Sequence, residues 1–266
     1  MPLLKRGNCT LRESDHRYLY DPHGTPEIMR TSVTAVCKYF DPPVDYSRYP
    51  EAAPRGTHVH LAGHHLAWDN IILRECMRKE AEGDEEAWEA PPDSFLQFMD
   101  NDGHISPEGI DCWPWIEQIQ CGRLHGANHE PLGDRRMSDF WCDVEVLATE
   151  HTMVSRRRSL GGQLDLLYRN PQGRVCLADF KTKSKSWNGA SAKDRQDYSR
   201  QFGGYLWLLA NGNDHHTPIP YVDECRTIIV RPDRIYILPP LDPNECSLDF
   251  EACWDAYEAA ALALPF

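Results

Sequence analysis

The sequence predicts an α/β or α+β domain in which helices flank a mixed β-sheet. Three observations indicate this fold: a helical apolar pattern in the first third, a group of strand-like runs in the middle, and alternating helix and strand patterns toward the end. The chain has 266 residues, 41% of them hydrophobic, which is enough to bury a substantial core. We expect a single domain over residues 1–266.

The first half of the chain is predicted to contain an extension, a helix and an insert. Residues 1–54 form an N-terminal extension of short strands and turns, because the strand-like runs RYLY and TSVTAVCKYF flank the turn sequence DPHGTPE. A helix follows over 55–78, with Thr57 as the expected N-cap residue. Residues 79–139 form an insert that begins with an acidic, turn-rich stretch, contains a helix at 112–122 and then becomes a polar loop.

Residues 140–210 are predicted to form the centre of the fold. Three strands and a helix are expected there, at 140–150, 161–169, 173–183 and 192–210. The turn sequence NPQG joins the second and third strands into a hairpin. Ser191 and Asp194 resemble a capping box at the start of the helix. Residues 211–266 then add two strands and a closing helix.

Composition argues against a membrane or secreted protein. No apolar run reaches the ~18 residues that a membrane span needs, and the first residues lack the apolar stretch of a secretory signal. The ten cysteines are scattered without a C-x-x-C pair, which fits reduced thiols in a cytosol. We therefore expect a cytoplasmic protein.

The charge is distributed unevenly. The net charge is −13, yet residues 151–205 hold eleven Lys and Arg against four Asp, a local net charge of +7 that leaves −20 for the rest. An acidic body around one basic region suggests a polyanion bound at one place. A solvated charged face would have the same composition.

Two acidic residues and a lysine come together in the predicted hairpin. If strand pairing is centred at residue 171 or 172, Asp165 faces residue 178 or 179, and Asp179 and Lys181 share one face of their strand. Opposed Cβ atoms would then lie ~5 Å apart. Two carboxylates this close need a cation between them, and Mg²⁺ with its oxygen ligands meets that need.

Lys181 beside such a metal would orient a water molecule and ease its deprotonation for attack on phosphorus. The alternative is a surface Asp–Lys pair, since DxK occurs often by chance. However, Asp179 and Lys181 follow an apolar run that belongs in the middle of a sheet, where charges need a partner.

Two further groups of residues fit a functional site. Gln201 and Tyr205 lie one turn apart on one face of the predicted helix, and Gly203 and Gly204 between them indicate close backbone approach by a strand or a ligand. Four histidines open the first long helix, namely His58, His60, His64 and His65. They suggest zinc, but no third ligand stands out, and we expect most of them on the surface or in packing.

Four motifs in this order resemble the PD-(D/E)XK nuclease superfamily, in particular the RecB-type exonucleases with their His, GxxD, DxK and QxxxY motifs. They are GTHVH at 56–60, GGQLD at 161–165, DFKTK at 179–183 and QFGGY at 201–205. Each motif alone is weak, whereas the ordered set, with a 14-residue step from the first aspartate to the second, is specific. The likeness covers roughly residues 55–210.

The resemblance implies a restriction-endonuclease-like core, with a central mixed β-sheet flanked by helices, and metal-dependent hydrolysis of phosphodiester bonds. It implies Asp165, Asp179 and Lys181 as catalytic residues. The implied ligands of Mg²⁺ or Mn²⁺ are His60, Asp165, Asp179 and the backbone carbonyl of Phe180.

The resemblance also implies two further roles. Gln201 and Tyr205 match residues that hold DNA and steady the site. Several relatives place a glutamate on the strand before GxxD, and we choose Glu145 over Glu150 for that ligand. Some relatives bind an iron–sulfur cluster through one early and three late cysteines. The late cysteines here include no close pair, which argues against a cluster.

The leading interpretation is a Mg²⁺- or Mn²⁺-dependent DNA exonuclease. It would act on ends with single-stranded character in phage or bacterial DNA replication, recombination or repair. The expected phosphate contacts come from the basic region, at Arg156, Arg157, Arg158, Lys183, Lys185 and Lys193. Trp187 and Tyr198 would stack on unpaired bases, or else pack in the interior.

Three alternatives stay open. A structure- or sequence-selective endonuclease of the same superfamily would use the acidic insert as a cap or partner surface. A DNA-binding subunit would keep the fold without cutting, and a zinc hydrolase would use the histidines. The chain has no nucleotide-binding G-x-x-x-x-G-K-[ST] motif, so a helicase or recombination partner would be another polypeptide. Strand polarity and the choice between DNA and RNA are not readable.

Overall fold

A computed structural model describes residues 8–12, 14–42, 47, 49–82, 94–212 and 220–263. The strands within these residues are β1 (Cys9–Arg12), β2 (Arg17–Tyr20), β3 (Glu27–Ile28), β4 (Thr31–Ser32), β5 (Arg123–His125), β6 (Pro131–Arg136), β7 (Glu145–Ser155), β8 (Leu160–Arg169), β9 (Val175–Thr182), β10 (Glu224–Val230) and β11 (Ile235–Ile237). The helices are α1 (Val33–Cys37), α2 (Ala52–Ala81), α3 (Phe95–Asp100), α4 (Trp113–Cys121), α5 (Met137–Asp143), α6 (Ala192–Asn211) and α7 (Pro243–Ala263).

One large mixed sheet organises the molecule, and helices flank it, so the general α/β expectation is confirmed. Its strand order is β4-β8-β9-β10-β11-β5-β6, and β7 pairs with β8 along the whole length of β8. The β9–β10 pair is parallel, whereas β7–β8 and β8–β9 are antiparallel. Strands β1 to β3 form a separate antiparallel sheet that packs against β7 and β8.

Each face of the sheet has its own hydrophobic core. On one face, α2, α4 and α5 bury a cluster that includes Val59, Ile116 and Phe180. On the other face, α1, α6 and α7 bury a cluster that includes Phe202 and Trp254. Removing this apolar surface from water on both faces is the main stabilising contribution that the layered arrangement offers.

The predicted hairpin is present. The side chain of Asn170 accepts hydrogen bonds from the backbone N–H groups of Gln172 and Arg174, and Gly173 takes a positive φ of 79°. These contacts close the turn because asparagine mimics a backbone turn and glycine tolerates left-handed geometry. The strands then pair from Arg169–Val175 to Leu166–Ala178.

Several element boundaries differ from the expected ones. Helix α2 begins at Ala52, so Thr57 lies inside the helix rather than at its N-cap. Residues 140–143 belong to α5 rather than to a strand, because Phe140 and Trp141 pack as helical side chains in the core beneath α2. The polar stretch after α4 supplies β5 and β6, which extend the main sheet at its edge.

One further predicted strand is mostly helical, and one predicted helix start is confirmed. The run TSVTAVCKYF gives only the short strand β4 before helix α1, whose N-cap is Ser32. The capping box of Ser191 and Asp194 starts α6 as expected. The acidic stretch of the insert lies partly outside the described residues, at 83–93. Among the described residues, no helix has both the length and the apolar character that crossing a bilayer requires.

Helices α6 and α7 pack so closely that one glycine has no room for a side chain. A Cβ atom on Gly203 would lie 2.0 Å from the backbone oxygen of Cys246 in α7. A Cβ on Gly56 in α2, by contrast, would meet only the Thr182 hydroxyl at an ordinary 3.4 Å. The tight contact fixes α6, and with it Gln201 and Tyr205, against the sheet.

We expect Gly203→Ala to lower the free energy of unfolding by about 2 kcal/mol or more, because overpacking forces the two helices apart. Gly56→Ala is the matched control. It removes a glycine from a helix interior without a clash, so it should leave stability unchanged or raise it by up to about 1 kcal/mol. Urea denaturation of the two variants measures both values, and equal stabilities would contradict the packing argument.

Candidate metal centre

The site lies where β8 and β9 stop pairing. The last paired residues are Leu166 and Ala178, so Asp165 and Asp179 are the first residues beyond the ladder and lie opposite each other. Oδ2 of Asp165 accepts a hydrogen bond of 2.8 Å from the backbone N–H of Phe180. A carboxylate thus replaces the strand carbonyl that would otherwise satisfy this buried donor. Asp165 and Asp179 are 7% and 3% exposed, and the burial of Asp179 agrees with its expected place in the middle of the sheet.

Helix α2 brings His60 to these acids. Nδ1 of His60 lies 3.3 Å from Oδ2 of Asp165. The close approach of the helix depends on small residues, since a Cβ on Gly63 would lie 3.0 Å from Ile119 and 3.3 Å from the Phe180 ring. His60 is therefore placed at the centre by the packing of α2 on the sheet.

The neighbouring histidines do not share this centre. Nε2 of His58 bonds the carbonyl oxygen of Gly103 at 2.6 Å. Nδ1 of His64 lies 3.2 Å from a threonine hydroxyl of β7, and the ring of His65 stacks on Phe98 with centroids 4.6 Å apart. These three make packing contacts, as the sequence indicated for most of the histidines.

A glutamate on β7 completes the group. One ligand atom each from His60, Glu150 and Asp165 lie within 4.8 Å of one another, which is within metal-binding distance. Glu150 falls between the pairs Thr149–Leu166 and His151–Leu164, directly across from Asp165. Its φ of 45° is left-handed, a conformation that a non-glycine residue adopts at a cost. The residue with this strained backbone is thus the same one whose carboxylate lies at the centre.

The choice of Glu145 as a ligand was wrong. Glu145 lies at the far end of β7, where it pairs with Arg169 of β8 in both register and charge. A register shift between Val146 and Ala148 changes the pairing by one residue, and it is the shifted register that places Glu150 opposite Asp165. Nothing in the sequence marks this bulge.

Gln163 holds Glu150 from the neighbouring strand. Its Nε2 donates to Oε2 of Glu150 at 2.7 Å and reaches the backbone oxygen of the same residue at 3.3 Å. One side chain therefore contacts both the carboxylate and the strained peptide of Glu150. Gln163 lies within the GGQLD motif, but nothing in the sequence marked it as part of the site.

A chain of contacts links Lys181 to α6. Nζ of Lys181 lies 2.6 Å from Oδ2 of Asp179 and donates to Oε1 of Gln201 at 2.8 Å. Nε2 of Gln201 in turn donates to the Tyr205 hydroxyl at 2.7 Å. Tyr205 is only 4% exposed. Gln201 and Tyr205 therefore orient the lysine. The resemblance implied that Tyr205 also contacts DNA, but Tyr205 is too deeply buried for that contact.

The two carboxylate oxygens of Asp179 differ in their surroundings. Its Oδ1 is buried and has no hydrogen-bond partner among the described residues. An orphaned carboxylate oxygen is costly in the interior, and it is accounted for if it faces a cation. Nearby, His60, Glu150 and Asp165 offer the oxygen and imidazole donors that Mg²⁺ and Mn²⁺ accept. The side chains present therefore fit a divalent ion.

The charges of the centre shift its pKa values. Burial works against the imidazolium of His60, but Asp165, with Glu150 and Asp179, outweighs burial and raises the pKa of His60 to about 9. Burial also opposes ionisation of Asp165, yet His60 and Lys181 keep the pKa of Asp165 below its usual value. Burial raises the pKa of Asp179, the charge of Lys181 lowers it, and the charge of Asp165 raises it again, so that it reaches about 6. The His60 imidazolium and the side chain of Lys181 therefore offset part of the negative charge of the carboxylates.

The basic region is less free than its composition suggested. Ion pairs join Arg156 to Glu27, Arg158 to Glu251, Lys183 to Asp194, and Lys193 to Asp41 and Asp197. Arg158 is 19% exposed and stacks on Trp207 and Trp254, so it is a packing residue and not a phosphate contact. Within the described part of the chain, Arg157 and Lys185 are exposed and have no ion pair.

The two aromatic candidates for base stacking pack in the interior. Tyr198 is 6% exposed and belongs to the core on the α6 face. The Trp187 ring lies 5.3 Å from that of Tyr236 and 6.3 Å from that of His129. The assignment of Tyr198 as a DNA contact was therefore wrong, and the interior alternative holds.

All ten cysteines carry free thiols.

Comparison with known proteins adds little. No family model matches the sequence, and no curated protein matches it. Among solved structures, one described as "Crystal structure of SSO0001" shares 19% sequence identity, with a TM-score of 0.25. That match covers 41% of this chain and 50% of the other, so this chain spans half the length of that protein. A likeness of this size carries no argument about function.

We expect Mn²⁺ to raise the thermal stability of the protein, because an ion that binds only the folded state adds about 2.7 kcal/mol at 100 times its Kd. Glu150→Gln should lose most of this increase, since it removes a charged ligand. Glu145→Gln, on the same strand, should keep it. Thermal unfolding with and without Mn²⁺ measures each difference, and an equal loss in both variants would contradict the assignment of Glu150.

We expect Gln163→Leu to weaken Mn²⁺ binding by about 10- to 100-fold, the usual effect of removing a residue that orients a metal ligand. Gln172→Leu, in the hairpin turn, is the control with the same substitution and should bind Mn²⁺ like the wild type. Isothermal titration calorimetry gives both affinities. An unchanged affinity of Gln163→Leu would show that Glu150 needs no support from β8.

Proposed function

We propose that the protein is a Mg²⁺- or Mn²⁺-dependent DNA exonuclease, built on a restriction-endonuclease-like core of the RecB type. One observation carries this proposal: His60, Asp165, Asp179 and Lys181, which come from three separate motifs, converge where β8 and β9 diverge. The fourth motif reaches the same point through Gln201. Four sequence motifs that meet at one cluster fit a shared chemical task better than four unrelated structural roles do.

The residues divide into those that hold an ion and those that act on the substrate. His60, Glu150, Asp165 and the free Oδ1 of Asp179 would hold the cation, and the Phe180 carbonyl stays a predicted further ligand. When bound, a divalent ion polarises a phosphoryl oxygen and lowers the pKa of a coordinated water. The acids provide the negative charge that selects a small divalent cation.

Lys181 is the residue we assign to the reacting phosphate. Asp179 and Gln201 hold its Nζ at 2.6 and 2.8 Å, so the cation is positioned before a substrate arrives. A preorganised positive charge in a half-buried site stabilises charge that develops on phosphate oxygens. It can also orient the attacking water by a hydrogen bond. Tyr205 supports this arrangement from α6 through Gln201.

The proposed substrate is DNA with a free, single-stranded end, in replication, recombination or repair. Exposed Arg157 and Lys185 would attract the phosphate backbone. The surface ion pairs of Arg156, Lys183 and Lys193 are weak enough for phosphate groups to replace the carboxylates. A helicase or recombination protein on another chain is the proposed partner.

We expect metal-dependent loss of linear single-stranded or linear duplex DNA, with circular single-stranded DNA left intact. Lys181→Ala should lower the cleavage rate by about 100- to 1000-fold, the usual effect of removing one stabilising group of the transition state. Its Mn²⁺ affinity should remain measurable, because the lysine is not a ligand. End-labelled DNA incubated with Mg²⁺, Mn²⁺ or EDTA gives the rates.

Arg123→Ala, in β5 near the opposite edge of the sheet, is the control and should cleave like the wild type. Cleavage of the circular DNA would show that the protein is an endonuclease of the same superfamily and not an exonuclease. DNA binding without any cleavage would indicate a non-cleaving subunit. Activity restored to EDTA-treated protein by Zn²⁺ and not by Mg²⁺ would favour a zinc hydrolase instead.

A further inference from the structure

The N-terminal sheet places a tyrosine against the metal centre. Tyr18, in the middle strand β2, lies over Gly161 of β8 so closely that a Cβ on Gly161 would be 2.2 Å from both Cβ and Cγ of Tyr18. The backbone of Tyr18 is fixed by its pairing with Leu11 and by the N–H of Met29, which donates to its carbonyl oxygen at 2.9 Å. The first glycine of the GGQLD motif is thus explained by this ring.

The ring lies on the side of β8 that faces the centre. Alternate residues of a strand share a face, so Gly161 and Gln163 point the same way, and Gln163 contacts Glu150. A tyrosine side chain is about as long as two residues of a strand. A ring that starts over Gly161 and runs along β8 toward the centre can therefore carry its hydroxyl group to the level of Gln163, whose side chain contacts Glu150.

The surroundings of Tyr18 agree with this placement. Burial, then the charges of Glu150 and Asp165, raise the pKa of Tyr18 to about 12. The phenol therefore keeps its proton at neutral pH and can act as a hydrogen-bond donor. The hydrogen bond that Met29 donates to Tyr18 uses the backbone carbonyl of Tyr18 and not its hydroxyl.

We propose that the Tyr18 hydroxyl donates a hydrogen bond to a phosphate oxygen of the substrate, so that the N-terminal sheet forms one wall of the active site. This proposal rests on the proposed nuclease function. A neutral donor suits this position, because it can bind a phosphate oxygen without competing with the divalent ion for the carboxylates. Lys181 approaches the centre from α6 and β9, and Tyr18 approaches it from β2. The two donors would thus contact the phosphate from different sides.

The test compares the wild type with Tyr18→Phe and with the control Tyr20→Phe. Tyr20 lies on the same strand, two residues on, in the small core beneath β1 to β3. Phenylalanine keeps the ring over Gly161 and removes only the hydroxyl. Three quantities are measured: the Mn²⁺ affinity by calorimetry, the affinity for labelled single-stranded DNA in Ca²⁺, and kcat and KM for its cleavage in Mg²⁺.

We expect Tyr18→Phe to bind Mn²⁺ like the wild type, to bind DNA in Ca²⁺ more weakly, and to lose about 10- to 100-fold in kcat/KM, as fits a hydrogen bond to a charged group. Tyr20→Phe should match the wild type in all three. A Tyr18→Phe variant that binds and cleaves DNA normally, or that loses Mn²⁺ affinity, would overturn the proposal.

The test also separates this proposal from the nuclease function. If the wild type binds DNA in Ca²⁺ without cleaving it in Mg²⁺, and Tyr18→Phe weakens that binding, the nuclease function fails and the phosphate contact stands. If the wild type neither binds nor cleaves DNA, both proposals fail.

Discussion

The end of the β8–β9 ladder at Leu166 and Ala178 is the constraint on which the site depends. Once the two strands separate, the Phe180 amide loses its strand partner, and the Asp165 carboxylate replaces that partner. A buried N–H left without an acceptor would cost free energy, so the carboxylate is held there for a structural reason. The same separation leaves room for His60 and Glu150, which approach from α2 and β7. The separation of the two strands therefore both satisfies the Phe180 amide through Asp165 and creates the space for the other site residues.

Charge compensation then determines how these groups can coexist. Three carboxylates lie within a small, largely buried volume, and mutual repulsion would raise the free energy of the folded state. In the metal-free protein, the imidazolium of His60 and the ammonium of Lys181 offset this repulsion. The unpartnered Oδ1 of Asp179 shows that the compensation is incomplete. A cluster in this condition gains more from a divalent cation than a fully paired network would.

The packing of helices on both faces gives the cluster its rigidity. On one face, Gly63 of α2 lets the helix bring His60 within reach of Asp165. On the other, the close approach of α7 to Gly203 holds α6, so that Gln201 meets Lys181. The glycines of QFGGY therefore serve helix contacts rather than the approach of a strand or ligand. Function at this site would depend on contacts well removed from the acids.

The sequence by itself determined the general α/β fold, the hairpin and the opposition of Asp165 and Asp179, because strand alternation and turn chemistry act over short distances. Only the tertiary structure decided the rest. The bulge that selects Glu150 over Glu145, the ion pair and ring stacking that occupy Arg158, and the burial of Tyr198 arise from contacts between residues distant in the chain. So does the position of Tyr18 over Gly161. Such contacts leave no local pattern, since each depends on how separate elements pack together.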